Sequence, residues 1–248
     1  MPEHDPSAYG RHIGPDYDAV TAKLVADTAA AVDCLTELAG GGPVLEMGIG
    51  TGRLALPLVA RGLAVSGIDG SPDMIAALHA KPGGAAIPVE IGDFSEVRVA
   101  GQFALVVLAL NTIYALPTQD AQVACFANAA AHLGPGGRFV LDAWVPDPAA
   151  FRNGNALRPL AVDDEEVILE AAEIDPVGQH MASVKVRLRN GDVRLYPANH
   201  RYAWPAELDL MARLAGLALE CRWGGWERQP FTASSERHVS VYQRPVDW

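Results

Sequence analysis

Cysteine is scarce in this chain, and so is positive charge. Cys34, Cys125 and Cys221 lie far apart with no C-x-x-C pair. That spacing argues against a disulfide framework or a metal site and fits a reducing cytoplasm, the expected location. The 19 Lys and Arg are outnumbered by 30 Asp and Glu, for a net charge of −11. Binding nucleic acid over a broad surface needs clustered cations, so no nucleic-acid partner is expected, while a small polyanion in a local pocket stays open. No apolar stretch reaches the ~18–20 uninterrupted residues of a membrane span. The opening MPEHDPSAYG lacks the basic patch and apolar core of a secretory signal, so no membrane partner is expected either. Apolar residues, by contrast, make up 50% of 248. That suffices for one full α/β domain with a modest insertion and is short for two independent domains.

After a polar lead, TAKLVADTAAAVDCLTELA (21–39) spaces Leu24, Thr28, Ala31, Leu35 and Leu38 as one helix, stopped by Gly40-Gly41-Gly42-Pro43. Short apolar runs then alternate with helical patterns: VLEM with LALPLVARG, LAVSGID with SPDMIAALHA, AIPVEIGD, FALVVLAL with QDAQVACFANAAAHL, and RFVLDAWV. Such alternation implies parallel pairing and a doubly wound sheet covered on both faces. Past Trp144 the pattern changes. A Pro- and Asn-containing stretch, VPDPAAFRNGNALRP, precedes three β-like runs, EEVILEAAEI, MASVKVRLRN and DVRLYPANHRYAW. In the second run Val184, Val186 and Leu188 alternate with Lys185, Arg187 and Arg189, so the apolar set is expected to face inward and the cations to face solvent. Asn190-Gly191 is a two-residue hairpin signal. Residues 163–204 therefore read as an antiparallel meander. PAELDLMARLAGL and HVSVYQR follow as a helix and a last strand. The expected organisation is an N-terminal lid and helix (1–40), an α/β domain (41–150 and 205–248) and an inserted meander (151–204) that contributes to the substrate site.

MGIGTGR (47–53) joins the first apolar run to a helix, with glycine at every second position. Something must approach that backbone closely. No Lys-Ser or Lys-Thr follows Gly52, so a nucleotide-hydrolase phosphate loop is disfavoured. For a dinucleotide fingerprint counted from Gly48, the sixth residue is Arg53, too large for close packing. Counted from Gly50 it is Ala55, which fits but starts the turn late. A nicotinamide-dependent oxidoreductase using Gly50–Ala55 is thus the alternative. Asp69 ends the second strand, where a carboxylate can accept both ribose hydroxyls. Asp93 ends the third, where a carboxylate can accept from an adenine amino group while the Phe94 N–H serves the ring. A lone acid after a strand is more often a cap or turn residue, but three successive strand ends carry this set.

VLEMGIGTGRLALPLV (44–59), GIDGSPDM (67–74), Asp93-Phe94, FALVVLALNTIYAL (103–116) and LGPGGRFVLDAW (133–144) occur in this order. On these blocks the chain resembles a class I S-adenosylmethionine-dependent methyltransferase. The resemblance implies a mostly parallel seven-stranded sheet and S-adenosyl-L-methionine as cofactor, with S-adenosyl-L-homocysteine as product. By that resemblance Glu46 and the turn of Gly48, Gly50 and Gly52 border the methionine and ribose. Asp69, with Gly70 beside it, holds the ribose, Met74 packs on the adenine, Asp93 and Phe94 read its edge, and the Leu110 backbone borders the methionine. Glu46 suits a sulfonium cation better than a pyrophosphate. The meander and the tail GGWERQPFTASSERHVSVYQR are similar to small-molecule enzymes of the glycine and amino-sugar N-methyltransferase type. Tyr9 and Tyr17-Asp18 match the tyrosines that such proteins carry near the N-terminus, which implies that Tyr9 and Tyr17 close over the methionine end.

Methyl transfer from a sulfonium is an in-line displacement governed by alignment and by exclusion of water. The expected reaction is methylation of an N or O atom of a small molecule, with natural-product metabolism as a setting that fits, and a homodimer is compatible. Asn111, Thr112 and Tyr114 follow the fourth strand and are expected to face the acceptor, Tyr114 as a positioning hydroxyl. Several amino-sugar enzymes carry a histidine here, where this chain has Ala115. Trp144, His200 and Trp226 are the further acceptor candidates. His132 reads as a surface or capping residue and His238 as structural. The acidic run Asp163–Glu166 reads as a solvated turn into a strand; its consecutive carboxylates point to opposite faces, so no metal site is expected.

Overall fold

The computed structural model of the chain describes residues 5–246. Two short helices, α1 (Ala8–Ile13) and α2 (Tyr17–Leu24), precede α3 (Thr28–Ala39). The helix expected over 21–39 is thus broken: Val25 turns extended, and Asp27, just before α3, pairs with Arg237 in the last strand. Helical spacing ran through the break, but a distant cation set it.

Then follow β1 (Val44–Met47), α4 (Ala55–Ala60), β2 (Val65–Asp69), α5 (Pro72–His79), β3 (Val89–Ile91), β4 (Phe103–Leu108), α6 (Gln119–His132) and β5 (Leu133–Trp144). Helix α5 begins as its sequence directs: Ser71 accepts from the Met74 N–H and Pro72 occupies the first turn. The meander comprises β6 (Asn155–Val162), β7 (Glu166–Asp175), β8 (His180–Arg189) and β9 (Asp192–Arg201). Helix α7 (Pro205–Leu214), β10 (Ala218–Trp223) and β11 (Arg237–Gln243) complete the chain.

The main sheet runs β10-β11-β5-β4-β1-β2-β3, parallel throughout except that β11 lies antiparallel between β5 and β10. The expected seven-stranded, doubly wound architecture is what forms. Its strands bury both faces: Leu45, Val106, Phe139 and Leu141 pack on one side against α6 and α7. Val44, Leu105, Val107 and Val140 pack on the other against α3 and α4. Near-continuous apolar runs follow from that double burial.

The second sheet, β6-β7-β8-β9, is antiparallel. Asn190 (φ 49°) and Gly191 (φ 82°) form the tight β8–β9 turn that the Asn-Gly pair foretold. Two features depart from expectation. The first strand, β6, comes from the stretch read as a connection. More important, the meander faces are reversed: Arg187 is buried and Leu188 is exposed. The inner face lies on α1 and α2, and Asp16 in the turn between them accepts from Arg187 (3.1 Å), Arg194 (2.9 Å) and Tyr196 (2.8 Å). Glu166, expected in a solvated run, is buried between Arg187 (2.8 Å) and Lys23 (2.6 Å). The lid's opposite charges, not strand polarity, decide which way this sheet faces.

Candidate active site

At the end of β1 the chain turns through Gly48 (φ 70°), Gly50 (φ 55°) and Gly52 (φ 83°), backbone angles that side chains resist. A Cβ on Gly48 would stand 2.8 Å from the Thr112 methyl, and one on Gly52 2.4 Å from Leu78. Those two glycines serve internal packing. Gly50 has open space beside it. Its N–H donates to Asp69 (2.7 Å), whose other oxygen accepts from the Ser71 N–H (2.8 Å). The acid at the end of β2 therefore holds the glycine turn in shape, and burial raises its pKa despite those two bonds.

Glu46 is buried, and its Oε2 has no hydrogen-bond partner among the described residues. Burial pushes its carboxyl up to about 8, with Arg53 and the Ala55 N–H pulling the other way. An acid left unanswered in the interior is costly unless a ligand pairs with it. The ammonium and sulfonium charges of S-adenosylmethionine are of the required sign, so the cradle fits that cofactor. Arg53, passed over in the sequence as merely bulky, acts electrostatically on Glu46, Tyr17 and Asp142.

The end of β4 carries two consecutive non-glycine residues in the left-handed region, Leu110 (φ 57°) and Asn111 (φ 63°). Such strain persists only where surroundings enforce it. Here Asp142, buried in β5, accepts from the Leu110 N–H (2.7 Å) and pairs with Arg237 (3.0 Å). Asn111 accepts from the Trp144 N–H (2.7 Å). Asp142 and Arg237 carry no motif that would have revealed this role. Beside the corner a cavity of about 390 Å³ opens between Val25, Asp27, Leu110, Asn111, Asp142 and Trp144, outside the carboxyl ends of the strands where ligands of such sheets sit.

The lid lies over the nucleoside side. A Cβ on Gly70 would meet Pro6 at 2.5 Å, and one on Gly10 would meet Ser71 at 2.1 Å. Met74 packs under Ile13 and Val20. Asp18 accepts from Thr51 (2.6 Å) and pairs with Lys81 (2.6 Å), which latches α2 to the glycine turn. The Tyr17 phenol is raised by burial and feels Arg53, Glu46 and Asp69. The side chain of Tyr9 lies outside the described residues. Asp93 accepts from the N–H and hydroxyl of Ser95 (2.8 and 2.7 Å), while the Phe94 side chain enters the core.

Among the acceptor candidates, Asn111 and Trp144 line the cavity. Tyr114 does not offer a free hydroxyl: it is wholly buried, and its O–H is shared between the carbonyls of Ala203 (2.9 Å) and Trp144 (3.0 Å). Trp226 is buried in the core layer with α3 and β11 and does not line the cavity. His200 stands on the inner face of the meander, its Nδ1 buried without a partner among the described residues, and burial pushes its pKa down to about 4. Beside it on that face are Ser183, whose buried hydroxyl has no partner among the described residues, Lys185, whose pKa burial lowers, and Glu170, bonded to Arg158 (2.6 Å). His132 is interior, not superficial: Nε2 accepts from the Val99 N–H (2.9 Å) and Nδ1 meets the Asn128 carbonyl (2.8 Å).

A glycine-turn cradle with acids at successive strand ends has the form of a nucleoside-binding site, and the comparisons specify the class. Residues 44–137 match the family described as "Methyltransferase domain". The cypemycin N-terminal methyltransferase of a Streptomyces species is 31% identical over 97% of this chain and 99% of its own length. The CcbJ methyltransferase structure from Streptomyces caelestis is 37% identical, covers 97% of this chain and 99% of its own, and has a TM-score of 0.90. SAM-bound CalS10, an amino pentose methyltransferase from Micromonospora echinaspora, shares the fold at 20% identity and a TM-score of 0.69, over 92% of this chain and 96% of its own. The chain belongs to the class I S-adenosylmethionine-dependent methyltransferases. S-adenosylmethionine is its methyl donor, and the nicotinamide reading falls.

Proposed function

We propose that this enzyme methylates a nitrogen atom of a small molecule in natural-product biosynthesis. The reading is carried by the cavity beside the Leu110–Asn111 corner, which adjoins the cofactor cradle and lies between the lid and the C-terminal ends of β4 and β5. The names of the relatives support nitrogen as the acceptor atom and secondary metabolism as the setting.

The bound cofactor supplies an electrophilic methyl group on sulfur. The chain's own residues do the rest. Glu46 pairs with the cationic end of the methionine portion, and Arg53 takes its carboxylate. Asp69 holds the ribose, Asp93 and the Phe94 N–H read the adenine edge, and Met74 packs against it once the lid has shifted. Tyr9 and Tyr17 close over the methionine end, and the Leu110 backbone borders it. Asn111 and Trp144 fix the acceptor, with the meander as roof. His200, neutral above about pH 4, accepts a hydrogen bond from the incoming amine and leaves its lone pair free for attack. The lid and roof exclude water, which would otherwise solvate the nucleophile.

A panel of primary and secondary amines, phenols and carboxylates, assayed by formation of S-adenosylhomocysteine, tests this. Turnover is expected with amines, and His200→Asn is expected to raise KM for the amine with cofactor affinity unchanged. Turnover confined to hydroxyl acceptors, or to tRNA, would remove the proposed acceptor class.

A further inference from the structure

Among the described residues, the charges on the inner face of the meander are paired with one exception. Asp16 meets Arg187 and Arg194, Glu166 meets Lys23 and Arg187, and Glu170 meets Arg158. Lys185, in the middle of β8, forms no ion pair or hydrogen bond among those residues, although Glu170 and Arg158 act on it through space. Its neighbours on the face are likewise unanswered: the hydroxyl of Ser183, which is 3% exposed, and Nδ1 of His200. The register sets Lys185 opposite Tyr196, Ser183 opposite Ala198 and Met181 opposite His200. Strand β9 then leads to Tyr202, whose ring packs 5.8 Å from that of Trp144, a wall of the acceptor cavity. From His200 to midway between Ser183 and Lys185 is about three residues along the strands, or roughly 10 Å. A buried hydroxyl and a half-buried ammonium without partners are costly unless a ligand answers them.

We infer that Lys185 and Ser183 form a subsite for a carboxylate carried by the amine acceptor, at the end remote from the nitrogen that is methylated. The inference rests on the reading of the acceptor as an amine with His200 beside its nitrogen. An ammonium and a hydroxyl both donate, so the group that completes them accepts hydrogen bonds and carries negative charge. Glu170 and Arg158 neutralise each other, which leaves the single charge of Lys185. A carboxylate balances one charge, whereas a phosphate dianion does not. Burial lowers the Lys185 pKa, Glu170 opposes that fall and Arg158 adds to it; a carboxylate seated beside the ammonium favours its charged form. The span excludes α-amino acids, whose amine and carboxylate share one carbon. With bonds of about 1.5 Å, an extended chain of about six methylene groups joins the two ends.

The probes are ω-amino acids of increasing chain length, from glycine upward, each paired with its methyl ester and assayed by formation of S-adenosylhomocysteine. Near six methylene groups the free acid is expected to show a KM at least about tenfold below that of its ester, with no such preference for glycine. Lys185→Met is expected to erase the preference, the loss falling on KM for the acid and not on kcat, and Lys185→Arg to keep it. Ser183→Ala is expected to raise KM for the acid several-fold without lowering the melting temperature, because the hydroxyl has no partner to lose. Equal KM for acid and ester at every length, or a preference that survives Lys185→Met, would overturn the subsite and leave the amine reading standing. Should Lys185→Met fail to fold, the comparison of acid with ester in the wild type decides alone. Failure of every amine, acids and esters alike, would remove the amine reading and the subsite with it.

Discussion

Glu46 shows what one residue adds to a site. Its carboxyl is raised from about 4.5 to about 8 by burial. A raised folded-state pKa contributes stability that is fully present below about pH 4.5 and is lost as pH rises through about 8. The cationic cofactor favours the ionised form, so binding near pH 6.5 is expected to expel a proton. Calorimetry in buffers of different ionisation enthalpy reads that proton directly, and Glu46→Gln is expected to abolish it and weaken binding by about 1–3 kcal/mol. Identical heats in all buffers would mean that Glu46 does not meet the cation. Tyr114 makes the opposite case. Its hydroxyl bonds two carbonyls that tie β5 to the chain leaving the meander. Tyr114→Phe is therefore expected to cost about 1 kcal/mol in denaturant unfolding while kcat stays near wild type. A collapse of kcat without loss of stability would restore a positioning role.

At the scale of elements, the lid is held by two sets of ion pairs. Asp16 and Lys23 fasten it to the meander, and Asp18 latches it to Thr51 and Lys81 on the cofactor side. Burial acts to raise the Asp18 carboxyl, but Lys81 and Thr51 outweigh it and the net shift is downward. The latch thus holds at neutral pH and opens in acid as pH falls through the depressed value. Ion pairs this exposed contribute little to global stability, so the effect belongs in kinetics. Asp18→Asn is expected to speed cofactor dissociation several-fold in stopped-flow while leaving the melting temperature within a degree or two. An unchanged off-rate would remove the latch from the path of cofactor entry.

For the whole molecule, the N-terminal helices, the glycine turn and the meander meet only when the two sheets are assembled, so cofactor binding and folding are linked. At a hundredfold excess over the dissociation constant, S-adenosylmethionine is expected to add about 2.7 kcal/mol, seen as a rise of roughly 5–10 °C in melting temperature for a chain of this size. Reduced nicotinamide dinucleotide is expected to give no shift. Stabilisation by the dinucleotide instead would misplace the cradle.

Much of this was legible in the residues. Alternating glycines at 48–52 demand left-handed backbone, acids at 69 and 93 close strands, and apolar runs fitted for double burial fix a covered parallel sheet. These features depend on backbone sterics and local periodicity, which act within a few residues. The faces of the meander, the break at Val25, the capture of the Tyr114 hydroxyl and the burial of Trp226 were decided in three dimensions. So was the clamp that Asp142 and Arg237 place on a strained corner. In each case the outcome depended on which distant element supplied the opposing charge, carbonyl or apolar surface. No spacing along the chain encodes that, because the partners are brought together only by folding.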